Sequence, residues 1–446
     1  MKMSIALAGF VVVCLTAHAR GTTYYVGSGP RASDGNPGMS SSAPFATPQH
    51  AAGIANPGDT IVLMSGTYTN LSPDGAVIDI TRTGTPNGWI TFKAAPKQHP
   101  ILRSTGWAQI LIHGGASYIR IEGLDIYGHA NDISLADAQK HAKDGGFTST
   151  NSNGISIDGR QDGVKKPQHI EIVGNVVRNC PGGGVAVCQA DYITITDNIV
   201  FDNAWWSPYE TSGISIWQAW NADDASGYHN FIERNQTFGN RNYIPDINSG
   251  QITDGNGIIL DDSKNTQAGS KEGVYRGRTL IANNLCYGNG GSGIHAFMSE
   301  HVDVFNNTCV DNNRTPENHG GQAFANSADD ASFRNNILEG PFDKPINSNW
   351  NNGKVDWDYN IFWGGKPEVS GPHDLRVDSK VKVSRIGDRL VVSEDPRSPA
   401  VNAGTATLAV KDDLLKRRRP EGKRIDIGCL QIRSQGDGLG DMAPFH

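Results

Sequence analysis

Five segments in the middle of the chain repeat one short pattern, and their residues fall into columns. They read Asn153-Gly-Ile-Ser-Ile-Asp158, Gly183-Gly-Val-Ala-Val-Cys188, Ser212-Gly-Ile-Ser-Ile-Trp217, Asn256-Gly-Ile-Ile-Leu-Asp261 and Ser292-Gly-Ile-His-Ala-Phe297. Alternate residues of a strand face opposite sides. Ile155/Ile157, Val185/Val187, Ile214/Ile216, Ile258/Leu260 and Ile294/Ala296 therefore point into a common core. Ser156/Asp158, Cys188, Ser215/Trp217, Ile259/Asp261 and His295/Phe297 point outward. That row holds an aromatic, acids and an imidazole, so function is expected there.

A second run follows each strand and ends in asparagine, at Asn175, Asn198, Asn235, Asn284, Asn307 and, more weakly, Asn336. The intervals are 23, 37, 49, 23 and 29 residues. We read 23 as the bare coil and the excess as insertions. Self-similarity of this length marks a repeat architecture whose coils bury their apolar row only by stacking. Two or three short strands per coil with asparagine at a corner make an all-β, single-stranded parallel β-helix. A right-handed coil follows from the crossover preference. A β-propeller needs four antiparallel strands per blade, and the leucine pattern of a leucine-rich solenoid is absent.

Residues 1–19 read as a signal peptide: Lys2, an apolar run from Met3 to Leu15 too short to span a bilayer, and Ala17-His18-Ala19 before the cut. A secreted or periplasmic protein with no membrane partner is expected. The net charge of −7 offers no basic surface for nucleic acid. Five cysteines follow the leader, an odd number. Cys286 and Cys309 hold the same offset from Asn284 and Asn307, so a buried ladder of small residues is expected there in preference to a bridge. No zinc-site spacing occurs.

Residues 20–70 form an N-terminal cap, with a short helix near Pro48–Ala55 to cover the first coil. Coils follow over 71–375, with long loops at 204–228 and 241–277, and 376–446 close the fold. The entry text (Thr22-Thr-Tyr-Tyr-Val-Gly, Pro57-Gly-Asp-Thr-Ile-Val-Leu, Ser65-Gly-Thr-Tyr68) resembles that of bacterial exported β-helix proteins, many of them polysaccharide lyases of the pectate-lyase-like superfamily. Ser398-Pro-Ala-Val-Asn-Ala-Gly404 and Asp426-Ile-Gly-Cys-Leu resemble the closing segment of the same group.

The longest insertions flank Trp217 and Asp261, and long loops on a rigid scaffold are where binding and catalysis concentrate. Four of nine tryptophans, Trp205, Trp206, Trp217 and Trp220, fall within sixteen residues. With Tyr209 they are candidate platforms for sugar rings. Asp261, Asp262, His295 and Lys264 are the candidate reacting group, with Asp254 in support and Glu210 in reserve. Adjacent coils lie about 4.8 Å apart, so Trp217, Asp261 and His295 can meet around one ligand. Asp158 is three coils away, about 14 Å, too far to pair with Asp261.

Three readings stay open. A uronate lyase needs a base, here His295, Lys264 or Lys271, and a cation on the sugar acid. Asp254, Asp261 and Asp262 can supply oxygen ligands for Ca²⁺, or Arg241 or Arg276 can neutralise instead. This is similar to calcium-dependent pectate lyases, although the next coil, Gly290-Gly-Ser-Gly-Ile-His295, brings no acid pair and no lysine. A glycoside hydrolase would use an Asp pair in the same groove, and Asp-Asp followed one coil later by His resembles the polygalacturonase arrangement. The third reading is a non-catalytic glycan-binding β-helix. The expectation is a monomeric lyase acting on a uronate-containing polysaccharide or oligosaccharide.

Overall fold

The computed structural model describes residues 21–267, 270–406, 410–420 and 424–432. The expected leader lies outside them. Each coil contributes three short parallel strands, one to each of three sheets of ten, eleven and ten strands. Sheet 1 holds the strands of the first motif, sheet 2 the runs that end in asparagine, and sheet 3 the three-residue strands that follow.

The columns read from sequence are the register of sheet 1. Ile155 pairs with Val185, Val185 with Ile214, Ile214 with Ile258 and Ile258 with Ile294. Their side chains, and those of Ile157, Val187, Ile216, Leu260 and Ala296, are fully buried. Each large aliphatic among them contributes roughly 1.5–3 kcal/mol of burial free energy. No coil gains this alone, because its neighbours supply the apolar contacts.

Asparagine holds the corner between sheets 2 and 3. The Oδ1 of Asn198 accepts from the backbone N–H of Asn175 at 2.9 Å and from its Nδ2 at 3.1 Å. The same pair of bonds joins Asn198 to Asn235, Asn235 to Asn284, Asn284 to Asn307, Asn307 to Asn336 and Asn336 to Asn360. The preceding residue is left-handed each time, from Gly174 to Tyr359, which bends the chain and aims the amide inward. A second ladder runs through Asn203, Asn240, Asn289 and Asn312 where sheet 3 ends. It sits five residues after the first, a spacing visible in the sequence once sought.

A helix forms at Pro48–Ile54, where the sequence placed one, with Thr47 Oγ1 accepting from His50 N. Ala51 and Ala52 are buried in the main core. At the other end, strands Val381–Ile386 and Arg389–Glu394 form an antiparallel hairpin that lies on the outer face of sheet 3. That face carries Phe201, Phe238, Leu285, Ile337 and Ile361, an apolar surface that needs a cover. Arg385 stacks over both phenylalanine rings and forks onto Asp202 at 2.6 and 2.8 Å. The arm therefore leaves the outward row of sheet 1 open. Cys286 and Cys309 sit in register inside the core, and both are free thiols. Among the described residues no helix is long and apolar enough to cross a membrane.

Candidate active site

Loops over residues 128–152, 202–213, 239–257 and 311–322 rise on one side of sheet 1, and 159–167, 218–227, 262–267 and 270–277 on the other. Between them, above the strands Ile258–Asp261 and Ile294–Phe297, lies a cleft of about 300 Å³. Its acids are Glu210, Asp254, Asp261 and Glu317. Its aromatic wall is His295, Phe297, Phe324 and Trp350, and Asn256, Asn313 and Asn318 add amides. No lysine or arginine lines it among the described residues.

Asp261 stands on the floor at the strand's end, in register with Trp217 on one side and Phe297 on the other. Gln267 Nε2 donates to Asp261 Oδ1 at 2.7 Å, and Trp217 Nε1 fixes Gln267 by donating to its Oε1 at 3.1 Å. Burial, and then the charges of Asp262 and Glu210, push the Asp261 carboxyl up to about 8 against the Gln267 bond. Asp254 comes from the loop before the strand, at a left-handed backbone position. Asn256 Nδ2 donates to its Oδ1 at 2.9 Å. Burial first, then Glu210 and Asp261, hold Asp254 well above the carboxylate range. Glu210 is also raised, by burial, while accepting from the Thr253 hydroxyl.

The raised Asp261 carries a stability signature. The unfolded chain releases this proton near pH 4, as an ordinary aspartate does, and the folded chain near pH 8. The native state thus binds the extra proton between those values, so its contribution is full below about pH 4 and declines as pH rises to about 8. Asp261→Asn should flatten that decline: its thermal midpoint exceeds wild type at pH 8–9 and matches it at pH 4. Equal midpoints at both pH values would place Asp261 in water.

Other expected site residues fall elsewhere. Asp262 turns away from the cleft at φ +49°. Its carboxylate accepts from Thr266 N, Thr266 Oγ1, Gln267 N and Gln218 Nε2 at 2.7–3.1 Å. It shapes the turn that delivers Gln267 and is removed from the reacting group. Lys264 Nζ donates to the Ser327 carbonyl at 2.7 Å, and Lys271 pairs with Asp162 at 2.6 Å. Arg276 pairs with Asp224, and Arg241 lies over the Tyr243 ring at 4.9 Å, its Nε buried. His295 is in register with Ile259, not Asp261, and stacks on Phe324 at 4.4 Å. Burial lowers it to about 3, so it is neutral.

The tryptophan cluster divides in the same way. Trp206 is buried and donates from Nε1 to the Ala130 carbonyl at 2.8 Å, and Trp205 packs edge-on against it. Both hold the wall. Tyr209 is exposed beside Gly145, and half-buried Trp220 stands outside the cleft. Trp217 does not line the cleft and acts on it through Gln267, to which its Nε1 donates. Missed from the sequence were Glu317, Asn318, Phe324 and Trp350. Phe324 and Asn326 lie 29 residues beyond His295 and Phe297, the same offset that separates Asn307 from Asn336.

The expected calcium trio does not converge, because the Asp262 carboxylate is consumed by its turn. Among the described residues no three or more His, Cys, Asp or Glu side chains gather in ligand geometry.

No family model matches the sequence, and no curated protein matches it. Among solved structures, the GH136 lacto-N-biosidase from Eubacterium ramulus is similar at 14% identity over 78% of this chain and 65% of its own, with a TM-score of 0.51. Pectate lyase Pel9A aligns at 16% identity over 93% of this chain and 97% of its own, with a TM-score of 0.49. The complex of XylC with xylose aligns at 11% over 93% and 99%, with a TM-score of 0.48. The first likeness places the chain in the parallel β-helix fold. At such identity the likeness shows the fold alone.

Proposed function

We propose that the protein hydrolyses a glycosidic bond in a neutral glycan held in this cleft, with Asp254 as general acid and Asp261 as the nucleophile or base. The observation that carries this reading is the lining: four carboxyl groups, aromatic faces and amides, with no lysine or arginine among the described residues. Hydrolases and lyases both use β-helices, so the site must decide.

Glycoside hydrolysis asks for two carboxyl groups whose environments separate their protonation. Asp254 is surrounded by acids, Glu210, Asp261 and Asp246, and keeps its proton. Each carboxyl receives one amide, but Asp261 is raised by two neighbouring acids rather than three and is the readier of the two to ionise. Asp254 passes its proton to the leaving glycosidic oxygen as that oxygen parts from the anomeric carbon. Asp261 either takes a proton from the water that attacks that carbon, or attacks it itself and is freed when a water deprotonated by the Asp254 carboxylate displaces it; one water is consumed either way. The Phe297 and Trp350 rings offer faces for the sugars, as exposed aromatics do at carbohydrate sites.

The β-elimination expected from sequence fits less well. It needs a base and a cation beside the sugar carboxylate, and Lys264, Lys271, Arg241 and Arg276 stand outside the cleft. At about 3, His295 is too weak a base to remove a carbon-bound proton.

The test is a screen on xylan, mannan, β-glucan and chitin fragments beside pectate, alginate and glucuronan, with and without chelator. Reducing ends are expected from a neutral glycan, unchanged by chelator. Ultraviolet absorbance growing on a polyuronate and abolished by chelator would overturn the reading.

A further inference from the structure

The outward row of sheet 1 does not end at the cleft. It continues in register from Asp261 through Trp217, Cys188 and Asp158 to His113. At its far end lies a second, open pocket of about 470 Å³ lined by Leu111, His113, Asp158, Arg160 and Gln161. Arg160 forks onto Asp158, Nε to Oδ1 at 2.9 Å and Nη2 to Oδ2 at 2.7 Å, and its Nη1 has no partner among the described residues. His113 Nε2 meets Asp79 Oδ1 at 2.8 Å. Asp158 and Arg160 offset one another's charge, and His113 and Asp79 are paired beside them. The pocket thus offers donors and acceptors suited to hydroxyl groups rather than to a phosphate or carboxylate.

The two pockets share both walls. On one flank Lys271 holds Asp162 at 2.6 Å and Lys166 holds Glu272 at 3.1 Å, tying the loop after Asp261 to the loop after Asp158. On the other, Trp206 Nε1 binds the Ala130 carbonyl and Ser207 Oγ donates to Asn151 Oδ1, both at 2.8 Å. These bonds join the loop before Trp217 to the loop before Asp158. The strands beneath them, from Asp261 through Trp217 and Cys188 to Asp158, span three coils, about 14 Å.

We infer that the second pocket is a distant sugar subsite of this groove, and that the preferred substrate is a neutral glycan long enough to occupy both. The inference rests on the glycosidase reading above for the position of the cleaved bond. Nothing in the first pocket requires a long chain; the shared walls do.

Binding is measured by calorimetry on the full chain carrying Asp254→Asn, so that no ligand is consumed. The probes are xylo-, manno-, cello- and chito-oligosaccharides of two to eight residues. In the series that binds, affinity is expected to step up about tenfold once the chain spans both pockets, the worth of one or two hydrogen bonds to a charged group. Arg160→Ala with Gln161→Ala, both exposed positions, should remove that step and leave short chains unaffected. Affinity independent of length, an equal loss for short and long chains, or no binding in any series would overturn the subsite. Wild-type hydrolysis with flat affinity would overturn the subsite and spare the glycosidase reading. A length step that Arg160→Ala removes, in a protein that cleaves none of these chains, would overturn hydrolysis and leave the subsite standing.

Discussion

Asp261→Asn should lower turnover by a factor of about 10²–10⁴ and leave glycan affinity near the wild-type value. The amide keeps the shape of the carboxyl and its contact with Gln267, whose Nε2 lies 2.7 Å from Oδ1, but it neither attacks carbon nor accepts a proton. Asp254→Asn should cost as much for the opposite reason, since the leaving oxygen then departs without a proton. The two losses should not add, because both groups serve one displacement. The pH profile separates them: its acid limb belongs to Asp261, near 8, and its alkaline limb, set by Asp254, is absent from Asp254→Asn. Asp262→Asn is the contrast. Its carboxylate serves the 262–267 turn, so the variant should lose stability before it loses chemistry. Kinetics and calorimetry on the three variants check this. Turnover above a tenth of wild type in Asp261→Asn would remove Asp261 from the reaction.

Asn235→Ala should destabilise the fold by about 3–5 kcal/mol, the sum of several orphaned buried groups at roughly 1–3 kcal/mol each. Asn235 is fully buried at the middle of the first ladder. Its Oδ1 accepts from the backbone N–H and the Nδ2 of Asn198, both at 3.0 Å. Its Nδ2 donates to the Ile195 carbonyl at 2.9 Å and to Asn284 Oδ1 at 3.1 Å. Truncation strands a backbone donor and a carbonyl where no water reaches. It breaks the link between coils that hold Trp217 and Asp261. Denaturant unfolding followed by circular dichroism measures the loss. A loss below about 1 kcal/mol would mean that stacking of the apolar rows sets the corner and the amides merely follow.

Much of the fold was legible because a β-helix writes its register into the sequence. The inward column at Ile214, Ile258 and Ile294 and the outward column at Trp217, Asp261 and Phe297 are neighbours in space for the same reason that they align on paper. Uneven asparagine intervals likewise located the long loops, and through them the cleft with Asp254, Asp261, Glu210 and His295. What the columns do not encode is the direction of a residue just past a strand. Asp262 follows Asp261 by one position, yet a left-handed backbone turns its carboxylate into the loop. Lys264 went the same way, to the Ser327 carbonyl. The tryptophan cluster misled through its density, because Trp206 is amphipathic and serves a wall as readily as a ligand. The 128–152 insertion that Trp206 grips has no repeat signature. The missing cations of the cleft are a property of where Lys264, Lys271 and Arg276 find partners, which no spacing reveals.

The central claim is that this cleft adds water across a glycosidic bond. It is tested most directly by weighing the products. The substrate is a defined oligosaccharide from the series that the protein binds, or an oligouronate where only those are cleaved. Mass spectrometry of the two fragments should give masses that sum to the substrate plus one water, with no fragment lighter by a water. Fragments that sum to the substrate alone, one of them carrying a carbon–carbon double bond, would show elimination and contradict the roles given to Asp254 and Asp261.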